Sequence, residues 1–359
     1  MSTIVLVSLG SNTGTDRQTD DLFNLINSSE NDVILYALFN PIIVSNKVIL
    51  KLLSFLSRTF GGRFLALVIA DIVLYYYLKE KKNAVVFCFL YPLIGPFSLL
   101  NLFTKKYRYL FFMPDLMWKK KYISNAYWIF FSLFVKFGFR VCDKILVPTV
   151  STYQDLYTNF NSRYHSKIEI FVEYCNADYW RNLDPIPIER LNNKEFIFHP
   201  SGLKPSKNTE KSLKAFLEMN THRKYYFVLL SNKTNGFFSK NRERFIKMIS
   251  DDNVVVLDSV SDHNMKWLYV NCKLVSVTSI EEGVGLPVLE ASYFNKPTVI
   301  SIASALPQTS NCNGYYVNPF SVESIRNAYE SILSGGKNKI FYEQMTREEL
   351  SINLKKMIG

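Results

Sequence analysis

Two carboxylates, Glu282 and Glu290, flank a glycine turn in the run Glu281-Glu282-Gly283-Val284-Gly285-Leu286-Pro287-Val288-Leu289-Glu290-Ala291. The apolar segment Leu274-Val275-Ser276-Val277 before the turn reads as a buried strand, and Val288 to Phe294 after it reads as a helix. A strand, a glycine turn and a helix N-terminus together make an anion site, because unpaired N–H groups and the positive end of the helix dipole converge on one spot. The glycines let the backbone approach a ligand closely. Glu282 falls just before the turn and Glu290 about two turns into the helix. One can therefore meet a group beside a bound phosphate, and the other a hydroxyl-rich part farther away. A phosphate with hydroxyls on either side describes a nucleotide sugar. The same spacing admits a plainer reading, in which the turn is one of many strand–glycine–helix units in doubly wound proteins and each Glu is a solvated surface residue.

The run Glu-Gly-Val-Gly-Leu-Pro-Val-Leu-Glu, residues 282–290, resembles the E-x7-E signature of the retaining GT-B glycosyltransferases of family 4, usually seen as E-G-F-G-L-P-x-L-E. The likeness extends on both sides. Asn264 to Val270 resembles the helix that precedes the signature strand, and Asn295-Lys296-Pro297-Thr298-Val299-Ile300-Ser301 the family's G-x-P-V-I-A strand. Ala305-Leu306-Pro307 and Gly314-Tyr315-Tyr316-Val317-Asn318-Pro319 resemble its LPE…G-x-L-V-x-P stretch, so that residues 195–335 are covered. The resemblance implies an α/β protein of the GT-B fold, with two facing Rossmann-like domains and a central cleft. It also implies a donor site in which Glu290 binds ribose hydroxyls. Glu282 and the N–H groups of Val284, Gly285 and Leu286 would hold the transferred sugar and its phosphate.

Further residues of such a cleft lie elsewhere in the chain. The segment His199-Pro200-Ser201-Gly202-Leu203-Lys204-Pro205-Ser206-Lys207-Asn208 follows a strand and precedes a helix starting near Thr209. It resembles the family's G-R-L-x-x-x-K-N element, whose Arg and Lys bind the donor diphosphate. Lys207 falls on the family's Lys, whereas Gly202 stands where the Arg is expected. Lys207, with Lys204 beside it, would neutralise the departing diphosphate, where charge develops in the transition state; Lys204 also reads as a solvent-facing loop lysine. Gly10 and Gly14 belong to a Gly/Ser/Thr-rich loop after the opening strand, similar to the family's first glycine loop. Asp115, in Met113-Pro114-Asp115-Leu116, matches the Asp of the family's H-D-L, with Pro114 in place of the His. It would orient the acceptor hydroxyl, or else cap a strand end. No His precedes His165, which excludes a His base in the first half. More loosely, Cys142–Thr149 and Cys175–Asp178 resemble the family's A-D-x-V-I-x-V-S and N-G-V-D stretches.

The elements that must position these residues alternate between strand-like and helical runs, which argues for parallel sheets. Candidate strands are Thr3–Ser8, Val33–Leu38, Ala84–Leu90, Tyr109–Met113, Lys144–Pro148 and Ile168–Val172, followed by Glu195–Phe198, Phe227–Leu230, Val254–Leu257, Leu274–Val277 and Thr298–Ser301. Helical candidates between the first strands are Thr19–Ile26, Lys47–Phe60, Phe64–Leu78 and Ala126–Phe137. A chain of 359 residues suits two domains. We expect an acceptor-binding, membrane-facing domain over 1–178, a linker over 179–194 marked by Pro185 and Pro187, and a nucleotide-sugar domain over 195–338. Residues 339–359 read as a helix that, by the resemblance, crosses back onto the first domain.

At 48% hydrophobic and 20% charged the chain is globular. Its five cysteines lack C-x-x-C or zinc spacing and read as buried thiols of a reducing compartment. The isolated His199, His222 and His263 read as structural or surface groups. No D-x-D triplet is present, so no metal is expected and the nucleotide-sugar donor is a substrate rather than a cofactor. The net charge of +11 is concentrated: residues 41–140 carry fifteen Lys/Arg against Asp71, Glu80 and Asp115. Bases interleaved with aromatic and aliphatic runs suit an anionic membrane surface; a plain solvated basic face is the alternative. No nucleic-acid motif accompanies them. The uncharged run Asn83–Phe103 contains Pro92, Gly95 and Pro96, and reads as strand, turn and helix rather than a span. The N-terminus lacks a signal-peptide pattern. These features suit a cytoplasmic, peripherally membrane-associated protein; by analogy with similar bacterial enzymes, the resemblance implies a glycan or lipid-linked glycan acceptor, as in O-antigen or capsule synthesis. Epimerase and phosphorylase activities fit poorly, the first because the motif has the transferase form and the second for want of length and a cofactor lysine. From a different class comes a catalytically silent relative acting as a membrane-associated binding or regulatory subunit, which Gly202 and Pro114 favour.

Overall fold

The computed structural model describes residues 3–8, 32–37, 40–41, most of 68–79, 84–89, 96–116, 125–171, 175, 177–219, 222, 224–230, 246, 249–258, 260–310 and 314–336. Gly10, Gly14, the candidate helices 19–26 and 47–60, and the candidate C-terminal helix 339–359 lie outside these. The chain divides into two compact units, Met1–Val172 and Glu173–Gln344.

In the first unit, β1 (Thr3–Ser8), β2 (Asp32–Ala37), β3 (Asn40–Pro41), β4 (Ala84–Phe89), β5 (Arg108–Phe112), β6 (Lys144–Val147) and β7 (Ile168–Ile170) form one sheet in the order β3-β2-β1-β4-β5-β6-β7. All pairings are parallel except β2 with β3, which meets Pro41 at the sheet edge, where a missing N–H costs no ladder bond. Parallel strands are covered on both faces, so they need near-continuous apolar runs. Tyr109, Leu110, Phe111 and Phe112 accordingly are all buried. The run after Asn83 forms β4 and then α1 (Pro96–Thr104), and no described helix is long and apolar enough to cross a membrane. Helix α2 (Asn125–Val141) extends past the expected Phe137 because Phe139 and Val141 still bury against the sheet, Phe139 lying 5.8 Å from Phe111. Helix α3 (Val150–Asn159) is capped by Thr149, whose hydroxyl accepts from the Thr152 N–H.

In the second unit, β8 (Phe196–His199), β9 (Tyr226–Leu230), β10 (Val254–Leu257), β11 (Leu274–Val277), β12 (Thr298–Ser301) and β13 (Tyr315–Val317) form a fully parallel sheet, ordered β10-β9-β8-β11-β12-β13. Helices cover both faces: α4 (Ala177–Arg181), α5 (Thr209–Met219), α6 (Asp262–Asn271), α7 (Leu286–Tyr293), α8 (Leu306–Thr309) and α9 (Val322–Leu333). The two-residue period of a strand sorts the core. Phe196 and Phe198 pack with Leu268, Tyr269, Val288 and Ala291 on one face, while Ile197 packs with Leu213, Phe216, Ile325 and Tyr329 on the other. Each such side chain contributes about 1.5–3 kcal/mol on burial. Residues 179–194, whose prolines suggest a linker, pack onto this unit. Trp180 is buried with Cys175, Val284 and Leu289, and Lys266 Nζ donates to the carbonyls of Trp180 at 2.8 Å and Leu183 at 2.6 Å.

Candidate functional site

The second sheet reverses its winding between β8 and β11: β9 and β10 are added on one side, β12 and β13 on the other. Loops leaving the carboxyl ends of those two strands diverge, and such a switch point is where doubly wound sheets bind ligands. The loop after β8 carries Lys207 and the loop after β11 carries Glu282.

The first loop ends in a single tight turn, Pro205–Lys207, closed by Asn208 in the left-handed region at φ 55. Asn tolerates that conformation better than most residues. Its buried side chain also stitches three loops together, Nδ2 donating to the carbonyls of Thr278 at 3.1 Å and Pro319 at 2.6 Å. The Ser206 carbonyl accepts from the Ile280 N–H at 2.8 Å. Beneath the loop, Thr209 Oγ1 donates to the Gly202 carbonyl at 2.8 Å, so the 3.1 Å contact to His199 Nε2 requires the imidazole N–H on that nitrogen. Burial pushes the His199 pKa down to about 3, with Lys207 adding in the same direction, so the ring is neutral.

Across the crevice, the Lys207 ammonium meets Glu282 Oε1 at 2.5 Å, and Ser279 Oγ donates to the same oxygen at 2.8 Å. The carboxylate side chain is 9% exposed and the lysine 24%, so the pair opens to solvent on the lysine side. Ser304 Oγ donates to the Glu282 carbonyl at 2.7 Å and accepts from its N–H at 3.2 Å, which fixes the backbone that aims the carboxylate. The turn then passes through Gly285 at φ +89, where an added Cβ would lie 2.3 Å from Leu306 Cδ2. Leu286 and Pro287 open α7, and Pro at a helix start lacks only an N–H that the helix could not use. The N–H groups of Val284, Gly285 and Leu286 donate to no acceptor among the described residues. One helix end thus presents unpaired donors and a positive dipole beside a fixed ammonium–carboxylate pair.

Glu290 lies farther along α7, half-buried, and its Oε2 accepts from Tyr269 OH at 2.6 Å. Tyr269 is fully buried and stacks on Phe294 at 5.4 Å. Burial, and then the Glu290 charge, raise its pKa well above 10, so the phenol stays a donor that orients the carboxylate.

Of the residues singled out in sequence, the fold joins Lys207 to Glu282 and sets Val284, Gly285, Leu286 and Glu290 on the turn and helix that follow. Lys204 is exposed and makes no ion pair among the described residues. Gly202 is half-buried, and among the described residues a Cβ there would meet the Leu230 carbonyl alone, at 3.6 Å. Asp115 belongs to the first unit, half-buried just past β5, next to Pro114, whose carbonyl accepts from Thr152 Oγ1 at 3.3 Å. Asn208, Tyr269, Ser279 and Ser304 were not foreseen as site residues. Asn208 stands in the Lys-Asn pair of the quoted element, which was the available signal; the others carry none. Among the described residues no three His, Cys, Asp or Glu groups converge in a way that could hold a metal ion.

Comparison with known proteins sharpens the picture. Residues 184–351 match the model of the family described as "Glycosyl transferases group 1". A serotype-specific mannosyltransferase of Escherichia coli is 26% identical over 167 residues, 45% of this chain and 20% of the relative's length. The chain thus spans about a fifth of that relative. An O-antigen chain mannosyltransferase of Salmonella typhimurium is 21% identical over 251 residues, 69% of this chain and 65% of that protein. Among solved structures, sucrose-phosphate synthase from Thermosynechococcus elongatus superposes with a TM-score of 0.74 at 14% identity, over 99% of this chain and 98% of that one. Anabaena HepE, in complex with UDP and glucose, gives 0.67 at 12% identity, over 100% and 95%. The fold is therefore GT-B, built from two Rossmann-like units.

Proposed function

We propose that this chain transfers a sugar from a nucleoside-diphosphate sugar to a hydroxyl of a glycan acceptor, with retention of configuration at the anomeric carbon. The observation that carries the reading is the convergence, at one switch point, of the Lys207–Glu282 pair with the unpaired N–H groups of Val284, Gly285 and Leu286. In this reading the pair is a resting arrangement. On donor binding, the Lys207 ammonium turns to the diphosphate and Glu282 accepts from hydroxyls of the transferred sugar. Glu290, held by Tyr269, accepts from the ribose. The bond from the anomeric carbon to the diphosphate oxygen breaks as the bond to the acceptor oxygen forms. The departing phosphate takes the acceptor's proton, while Lys207 and the helix N-terminus stabilise the charge that develops on it. No metal is needed in this scheme.

The matches to two mannosyltransferases make mannose the sugar to test first. A lipid-linked glycan at the inner face of the cell membrane is the acceptor we favour, on the strength of the basic and aromatic first unit. Asp115 is the residue of that unit we assign to orienting the acceptor hydroxyl.

A thermal-shift screen against GDP, UDP, GDP-mannose and UDP-glucose tests the reading directly. A ligand at a hundred times its Kd adds about 2.7 kcal/mol to the folded state. We expect one nucleotide series to raise the melting temperature, and the shift to shrink in Glu290→Gln. A flat response to every nucleotide sugar sinks the proposal. Gly202, standing where an Arg is expected, supports a second reading, a silent relative that binds without transfer; nucleotide binding with neither transfer nor hydrolysis would establish it.

A further inference from the structure

We infer that one face of the first unit, formed by the helical segment 68–79 and helix α1, is a docking surface for an anionic lipid bilayer. The two helices are tied together at both ends. Near their starts, the buried Asp71 carboxylate accepts from the N–H of Ser98 at 3.2 Å and from its hydroxyl. Near their ends, Tyr107 OH donates to the Leu78 carbonyl at 2.6 Å and Lys106 Nζ to the Lys79 carbonyl at 2.8 Å. Start bonded to start and end to end, they lie side by side and run the same way.

Their inner sides are spent on the core, with Leu74, Leu78, Ser98 and Asn101 buried. Their outer sides are apolar where a solvated helix would be polar. The segment exposes Ile72 and Tyr76, and α1 exposes Leu99, Leu100 and Phe103, the last of these 81% exposed. Ile72, Tyr76 and Lys79 follow helical spacing, as do Leu99 and Phe103, so each set occupies one side of its helix. Helix α2, packed beside α1, adds the exposed Leu133 with Lys136 and Arg140 at the same spacing.

Charge decides what covers this face. Lys79, Lys105 and Lys106 stand at the ends of the two helices, and Lys136 and Arg140 on the third. Lys105 is partly engaged by Asp143 at 3.6 Å. The only acid within 68–79 or 96–106 is Asp71, which is buried and turned inward onto Ser98. Apolar side chains rimmed by lysines, with no exposed acid among the described residues of the two helical segments, fit anionic headgroups over acyl chains better than they fit a protein of mixed charge. Lysine stems also lie well along such a boundary with their ammonium groups in the headgroup layer.

The inference stands on residues apart from Lys207 and Glu282, so its test separates from that of the proposed chemistry. Full-length protein is sedimented with phosphatidylcholine vesicles, with or without phosphatidylglycerol, at low and high salt. We expect pelleting only with phosphatidylglycerol, and weakening as salt screens the lysines. Leu100→Glu with Phe103→Glu should lower vesicle affinity by more than about tenfold. Lys79→Ala with Lys106→Ala should lower it by about tenfold. The Leu100/Phe103 pair should keep the wild-type melting temperature, and both pairs should remain folded with the wild-type nucleotide thermal shift. Phe320→Glu, in the second unit at 62% exposure, is the control and should pellet as wild type. The inference is overturned if wild type stays in the supernatant, if the Leu100/Phe103 pair pellets unchanged, or if Phe320→Glu is equally impaired. It is overturned too if wild type is a dimer that Phe103→Glu splits while vesicle binding persists, since the face would then join two copies of this chain.

Discussion

The two units share a parallel doubly wound sheet but invest their polar side chains in different places. In the second unit they cluster at the carboxyl ends of β8 and β11, where Asn208, Ser279 and Ser304 tie loop to loop around Lys207 and Glu282. In the first, the buried polar contacts that stand out join the 68–79 segment to α1 and to the loop after it, Asp71 to Ser98 and Tyr107 to Leu78, and apolar side chains such as Tyr76, Leu99, Leu100 and Phe103 are left facing outward. One topology thus supports a fixed charged site in one case and an adhesive face in the other. The sheet sets where loops emerge; the hydrogen bonds set which loops are stiff enough to hold chemistry.

The strongest test of that contrast removes the charge from Glu282. Glu282→Gln keeps the shape and the bond from Ser279 but ends the ion pair with Lys207. Transfer should fall by about two to three orders of magnitude, as when a preorganised transition-state contact is lost. Stability should change by less than about 1 kcal/mol, because Lys207 can turn to solvent. Asp115→Asn, the matching change in the first unit, should instead raise the acceptor KM and leave the donor Kd unchanged. Equal loss of donor binding from both variants would break the assignment of donor to one unit and acceptor to the other.

Backbone geometry at the turn gives the next largest effect. Gly285 needs its positive φ, and any Cβ there runs into Leu306, which is fully buried. Gly285→Ala should cost about 2–4 kcal/mol from left-handed strain and overpacking combined. It should also turn the Val284–Leu286 donors away from a phosphate. A denaturant midpoint and a nucleotide Kd measured together would separate the two. Loss of stability with wild-type nucleotide affinity would show that those N–H groups bind no phosphate.

His199 makes the second unit sensitive to acid. Its folded pKa of about 3 lies below the ordinary 6.5 because the ring is buried, so between those values the unfolded chain binds the proton first. Stability therefore rises with pH across that window and levels off above it. Each unit of pH below 6.5 costs up to about 1.4 kcal/mol. Unfolding free energy measured from pH 4 to 8 should show that slope in wild type and a shallower one in His199→Gln. Parallel curves would place the acid sensitivity elsewhere.

How far the sequence reveals this depends on the range of the interaction. The central strands are legible because parallel strands must be apolar throughout, and Leu274–Val277 or Phe227–Leu230 admit few other readings. The two-residue β3 and the short β13 carry no such run and were not foreseen as strands. The turn from Glu282 to Leu286 is legible because its donors and glycine lie within a few residues. The ion pair to Lys207 spans 75 residues and the Tyr269–Glu290 bond spans 21, and only the winding of the sheet brings those partners together. Trp180 carries a signal of the opposite kind: two nearby prolines suggest a linker, while its large apolar side chain packs this stretch of chain onto the second unit.

The smallest expected effect is a gain. Gly202 occupies a position where a cation is expected, on the same loop as Lys207, and among the described residues its missing Cβ faces no more than ordinary contact with the Leu230 carbonyl. Gly202→Arg adds a bidentate donor to a loop already held by Asn208 and by the His199–Thr209 contacts. Fixing a partly exposed guanidinium onto a diphosphate is worth about 1 kcal/mol, so the nucleotide Kd should fall about fivefold. The gain should vanish at high salt. If affinity does not change in calorimetry, a side chain from position 202 does not reach the phosphates. The diphosphate would then lie nearer the α7 N-terminus, served by Lys207 and the turn alone, and the glycine would be no loss at all. If affinity rises while transfer does not, the second unit binds its donor as proposed and the limit on turnover belongs to the first.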